Sequence, residues 1–185
     1  MILELISKPL RKKWSNDYIS KGDIYLEQKK YLTAEIQYDK ALTLYSGNEA
    51  AKNRKELATN AEKDILALAD FYKEKNISSQ IELFQSATAV PASKVEAVKN
   101  AKTLLEKDEY QLAKISAKTA TEMDKSYRDA WIYLGIANLK AYENLEVSKD
   151  SKSSYKDEAK ASLETAKLID PTYELIQSFL KKIEN

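Results

Sequence analysis

Apolar residues along this chain recur at three- and four-residue intervals, the spacing that lines one face of a helix, and they come in blocks separated by short polar stretches. One block runs from Gly22 through Tyr25, Tyr31, Ala34, Tyr38, Ala41 and Leu42. A second holds Ala101, Tyr110, Ala113, Ala117 and Ala120. A third opens with Trp131, Leu134 and Gly135 and resumes at Ala159, Leu163 and Ala166. Between the first two, Glu49 to Lys75 predicts one long helix with apolar positions at Ala50, Leu57, Ala61, Ile65, Leu68 and Tyr72. Asn76 ends it, and Ser78 or Ser79 is expected to cap a short helix through Ile81 and Phe84 that stops before Pro91. Leu175, Ile176, Phe179, Leu180 and Ile183 predict a terminal amphipathic helix, and Ile2, Leu3, Leu5, Ile6, Leu10 and Trp14 give the start of the chain an amphipathic pattern too.

Punctuation agrees with long helices. Three Gly and three Pro are few for 185 residues, and these are the residues that weaken helix interiors most. Ser93-Lys-Val-Glu96 and Ser46-Gly-Asn-Glu49 have the capping-box form, and Ser126-Tyr-Arg-Asp129 is a weaker version before Trp131.

The blocks also repeat. Gly22 to Ala34 is twelve residues, Ala101 to Ala113 is twelve, and Ala101 to Gly135 is thirty-four. With Trp131, Leu134-Gly135, Ala159, Ala166 and Pro171 they resemble the tetratricopeptide repeat, whose first helix carries Trp, Leu-Gly and Tyr, whose second carries Ala, Phe and Ala, and whose exit carries Pro. The resemblance implies an all-α, right-handed solenoid of antiparallel helix pairs. Residues 15–48, 94–127 and 128–173 would be repeats, 49–93 a degenerate repeat or cap, 174–185 a capping helix, and 1–14 an amphipathic basic segment. Gly135 to Ala159 is twenty-four residues, which by the family spacing implies an insertion of about twelve near 144–157, where Ser148–Ser154 reads as a polar loop. The implied packing motif is Gly22, Tyr25, Ala34, Tyr38, Ala41, Ala101, Ala113, Ala120, Trp131, Leu134, Gly135, Ala159, Ala166 and Pro171, with small residues at the helix crossings and larger ones around them. Tyr18 takes the family's Trp position and would stack in the core with Tyr25 and Tyr38, whereas Tyr45 fits no motif position and is a candidate surface contact.

Composition narrows the function. Thirty basic against twenty-nine acidic residues leave a net charge of +1, which does not make a nucleic-acid surface; Lys8, Arg11, Lys12 and Lys13 form one local basic cluster. Cys and His are both absent, which removes thiol and imidazole chemistry and most zinc or copper sites. Glu56 near Lys52 and Glu106 near Lys102 read as exposed helical ion pairs, and Asp150 and Asp157 lack the dense oxygen ligands of a calcium loop. No catalytic residue, cofactor or metal is expected. No apolar run is long enough to span a bilayer, and Glu4 makes the start a poor secretion signal. A cytoplasmic setting is favoured, with an extracytoplasmic or membrane-associated one if an upstream segment has been removed.

In the family, the first helix of each pair lines a groove for a partner. By position that groove would take Ile19, Asp23 and Leu26, then Val98, Lys102 and Leu105, then Ile132, Ile136, Leu139 and Lys140. The last two sets make an apolar strip edged by lysines, suited to an extended or helical peptide with apolar anchors and some acid. The Lys and Asn with which some members grip a terminal carboxylate are missing from these positions. The expectation is a non-catalytic scaffold or adaptor for a protein or peptide partner, with a peripheral membrane assembly factor tethered through residues 1–14 as the alternative. An open groove, one covered by the chain's own termini, and a homodimer contact all remain open at this stage.

Overall fold

The computed structural model describes residues 7–184, and these are helical almost throughout. In order come α1 (Lys8–Glu27), α2 (Tyr31–Leu44), α3 (Glu49–Lys63), a 3-10 turn (Ile65–Leu68), α4 (Ala69–Glu74), α5 (Ser78–Thr88), α6 (Lys94–Glu106), α7 (Tyr110–Met123), α8 (Arg128–Asn144), α9 (Lys149–Ile169) and α10 (Glu174–Glu184). The chain divides into two compact units. One ends at Phe71 and includes Glu146–Ser148; the other holds Tyr72–Leu145 and the chain from Lys149 onward. Residues 1–6 of the predicted N-terminal segment lie outside the described residues, and the rest of that segment, from Lys8, is the start of α1.

In the first unit α1 and α2 run antiparallel: Gly22 faces the Tyr38 ring, and seven residues earlier the Ser15 hydroxyl donates to the Ala41 carbonyl at 2.8 Å. Only hydrogen at Gly22 leaves room for that ring, since an added Cβ would lie 2.7 Å from Tyr38 Cζ. The Tyr38 hydroxyl donates to buried Asp23 at 3.0 Å, and Arg54 of α3 reaches the same carboxylate at 3.3 Å with its guanidinium 4.9 Å from the centre of the Phe71 ring. Burial, and after it the Asp23 charge, pushes the Tyr38 hydroxyl far above the ordinary tyrosine range, so it stays a donor. Segment 146–148 completes this unit. Thr33 donates to the Glu146 carboxylate, Val147 is buried, and the Ser148 amide donates to buried Glu62 at 2.7 Å.

The second unit repeats the pairing. Ala101 and Ala117 meet Leu134, while Ala97, Val98, Ala120 and Ala130 form a cluster with Tyr127 and Tyr133. Gly135 on α8 abuts α9, where an added Cβ would lie 2.6 Å from Leu163 Cγ and 3.3 Å from the Ala159 carbonyl oxygen. The pair ends are clasped by ions: Lys94 to Asp124, and Arg128 to both Asp129 and Asp170 at 2.7 Å.

Three turns share one conformation. Lys29, Asn76 and Asp108 have φ of 58°, 54° and 59°, and in each case the next amide donates to a carbonyl five residues back at 2.9 Å (Lys30 to Tyr25, Ile77 to Tyr72, Glu109 to Leu104). This left-handed exit closes a helix by satisfying its last carbonyls. Its appearance at Asn76 shows that the stretch without a sequence motif contains a short hairpin of the same kind, α4 to α5.

Several sequence expectations change. The long helix over 49–75 breaks at Asp64, which is extended (φ −135°) and accepts from the Leu66 amide at 2.9 Å; a short acceptor side chain competes with the helix for backbone donors and starts the 3-10 turn. Neither Ser78 nor Ser79 caps α5, whose N-cap is Ile77 with no side-chain bond. Asn48 rather than Ser46 caps α3, accepting from the Ala51 amide. Ser126 does not cap α8, because both its amide and its hydroxyl donate to Asp124. The capping box at Ser93 forms with a one-residue shift: Ser93 accepts from the Glu96 amide, but Glu96 accepts from Ala92. The polar loop over Ser148–Ser154 is absent, for α9 begins at Lys149 and its first turns are held down by buried Tyr155, which accepts from Gln111 at 3.0 Å, and by Lys152 donating to the Tyr142 carbonyl at 3.0 Å. The extra residues lengthen α8 and α9 instead.

Gly22→Ala and Gly135→Ala each gain about 1 kcal/mol of helix propensity but meet an occupied site whose overpacking costs about 1–3 kcal/mol, so both lower the melting temperature; a gain would show the crossings to be loose. The Lys94 hydrogen bond, followed by those from Ser126, holds the Asp124 carboxyl down at about 2. A carboxyl lowered on folding stabilises above its unfolded value of 3.8, and that contribution is lost as pH falls through about 2. An NMR titration should place the Asp124 inflection well below the unfolded value of 3.8, and Lys94→Met should bring it back toward that value.

Candidate functional site

Most of the implied packing motif is buried: Gly22, Ala34, Tyr38, Ala41, Ala101, Ala113, Ala120, Leu134, Gly135, Ala159 and Ala166. Tyr25 and Trp131 are half-buried, and Pro171 is exposed in the turn before α10. Tyr18 is half-buried rather than stacked in the core, with Lys21 and Lys40 at 5.1 and 6.0 Å from its ring centre. Tyr45 is also half-buried and packs beside Gly47.

The residues placed in a groove by position are not gathered into one. Asp23 and Leu26 belong to the buried interior of the first unit, with Ile19 half-buried beside them in sequence. Val98 lies in the cluster beneath Tyr127 and Tyr133. Ile132 and Leu139 are buried against Ile176, Leu180 and Ile183 of α10, and Ile136 packs against the same cluster. Lys182 of α10 closes the seam with a 2.6 Å ion pair to Glu143, which also accepts from Lys140 at 3.5 Å. The strip on α8 is therefore a packing seam covered by the chain's own last helix. A first helix packs against its hairpin partner and also against the following first helix, α6 on α8 and α8 on α10. Its second apolar face is used by that neighbour. Lys102 stays exposed, and Leu105 and Lys140 half-exposed.

A concavity of the second unit lies on the other side, between the second helices α7 and α9. It encloses about 430 Å³. Leu134 of α8 forms its floor and Trp131 one wall; Ala161, Ser162 and Thr165 line α9, with Lys118, Thr121 and Glu122 on α7. Trp131 is fixed by its indole N–H, which donates to the Lys125 carbonyl at 2.8 Å. One end is closed by Lys114, paired with Glu158 at 2.5 Å and stacked 5.2 Å from the Tyr155 ring. Lys118 and Glu122, one turn apart at the rim, make no ion pair among the described residues. The cleft exists because small side chains occupy α9 where it faces α7, so the two second helices do not close over Leu134. Ala161, Ser162 and Thr165 were the available signal in the sequence, but their depth depends on the spacing of α7 and α9.

Chemically the cleft offers an apolar floor, an aromatic wall, hydroxyls and one free charge of each sign. Among the described residues no group of three or more acids is placed to hold a metal ion, and no helix is long and apolar enough to cross a membrane.

Among solved structures the chain is similar to the TPR domain of Arabidopsis OM64. The identity is 15% and the TM-score 0.41, over 94% of this chain and 96% of that one. No family model matches the sequence, and no curated protein matches it.

The covered seam carries its own prediction. Ile176→Ala, at a fully buried position against Ile132 and Leu139, should cost about 2–4 kcal/mol in chemical denaturation. A loss below about 1 kcal/mol would mean that α10 does not seal the strip.

Proposed function

We propose that the protein is a non-catalytic scaffold that holds a segment of a partner protein in the cleft between α7 and α9. The observation that carries this is a cavity of about 430 Å³ with a Leu134 floor and a Trp131 wall, rimmed by Lys118 and Glu122. Aromatic anchors with unengaged charges at the edge are the composition of binding hot spots and their rims. Its size suits one or two anchor side chains of a peptide. The ligand that fits carries an apolar or aromatic anchor for Leu134 and Trp131, flanked by an acid for Lys118 and a base for Glu122. Structural engagements of the carboxylates favour binding over bond chemistry: Asp23 is tied to Arg54, Asp170 to Arg128 and Glu158 to Lys114.

The test is selection of peptides on the purified protein followed by affinity measurement on variants. Ala161→Arg fills the cleft from an exposed position, and Lys118→Glu reverses its rim. Each should weaken selected peptides by about tenfold or more, equivalent to about 1.4 kcal/mol, with circular dichroism unchanged. Lys102→Glu, on the exposed part of the first-helix surface, should leave them untouched. Peptides that ignore both cleft variants but respond to Lys102→Glu would move the site to α6; a concentration-dependent dimer dissolved by Ala161→Arg would make the occupant a second copy.

A further inference from the structure

Independently of the cleft, we infer that the outer face of α1 is a docking surface for an anionic lipid bilayer. α1 is apolar on two sides. Its inner side carries Gly22 and Leu26 to the core of its unit. Its outer side exposes Leu10 (39%), Trp14 (38%) and Ile24 (54%). At 100° per residue these three fall within about 80° of the helix circumference, on a line about 21 Å long. Single exposed apolar residues are ordinary on a protein surface, but three large ones aligned on one helix face form a stripe.

The charges around the stripe say what would cover it. Lys8, Arg11, Lys12, Lys13 and Lys21 stand on the helix against two exposed acids, Asp17 and Glu27. By the same 100° count Lys21 and Asp17 fall on the stripe, Lys13 and Arg11 flank it, and Lys8 and Lys12 lie further round the same end of the helix. None of the five cations makes an ion pair among the described residues, and Lys21 sits instead over the Tyr18 ring. Residues 8–14 are exposed apart from half-buried Arg11, and the first turn contains no acid. Four of the cations thus crowd the end of α1 where the helix dipole is already positive, an arrangement unfavourable in water and relieved by an external anion surface. A second copy docked through this end of α1 would set its four cations against four, which argues against a dimer here. Lys and Arg crowded at one helix end beside exposed Trp, Leu and Ile is a composition of helices lying in the plane of a bilayer, where the ring sits at headgroup depth and the cations meet anionic lipid.

Flotation of the full chain with phosphatidylcholine vesicles, with and without phosphatidylserine, tests the inference. The protein should float with the anionic vesicles only and be released by raised salt. Lys13→Glu with Lys21→Glu should lower the bound fraction at least about tenfold, given the free energy of a basic residue near such a surface. Brominated acyl chains should quench tryptophan emission in the wild type but not in Trp14→Ser, which separates Trp14 from Trp131. These side chains are exposed, and circular dichroism confirms the fold of each variant. Absence of flotation, flotation indifferent to charge reversal, or quenching that survives Trp14→Ser would each overturn the inference. Binding to soluble polyglutamate without binding to vesicles would reassign the face to an acidic protein. None of these outcomes bears on the α7–α9 cleft.

Discussion

Close approach of antiparallel helices at small residues is the constraint on which everything else in this protein rests. Gly22 admits the Tyr38 ring, and Gly135 admits Leu163 against the backbone of α9. Dispersion and hydrophobic gain both depend on near contact, so a crossing held apart by one methyl loses attraction along the whole pair. The alanines follow from the same requirement: Ala34, Ala41, Ala101, Ala113, Ala117, Ala120 and Ala159 are all fully buried. Cores built from alanine bury little area per residue. This leaves the fold dependent on the few large side chains, Tyr31, Tyr38, Tyr72, Phe71 and Leu163, that fill the space between.

The first unit adds a polar device to this packing. Asp23 is nearly fully buried, which is costly for a charge, and it is matched by the Tyr38 hydroxyl and the Arg54 guanidinium. The cluster joins α1, α2 and α3 in one place, and Arg54 is itself fixed by its stacking on Phe71. Each member satisfies another, so loss of one would strand a buried polar group. Segment 146–148 is tied to the same unit by a comparable logic, with the buried Glu62 carboxylate receiving the Ser148 amide.

Surfaces available for binding are those that packing leaves over. In the second unit each first helix is used on two sides, by its partner and by the next first helix, and the strip Ile132–Leu139 disappears beneath α10. α9 carries Ala161, Ser162 and Thr165 toward α7, and the α7–α9 cleft stays open above Leu134. The outer face of α1 has no helix following the same rule on its far side among the described residues, and its stripe of Leu10, Trp14 and Ile24 remains in solvent.

The sequence alone was enough for the helical class, and its apolar blocks fall on α1, α2, α6, α7, α8 and α9. Those follow from local periodicity and from spacing, which a chain carries without reference to its neighbours. It was not enough for the break at Asp64, where a short acceptor side chain competes with helix propensity by a margin that only the packed environment decides. Nor was it enough for the site. Ile132, Ile136 and Leu139 look like a binding strip on α8 taken singly, and whether an apolar face meets a partner or the chain's own α10 is a long-range matter. Burial is a property of two surfaces together, and the second surface is supplied by tertiary structure.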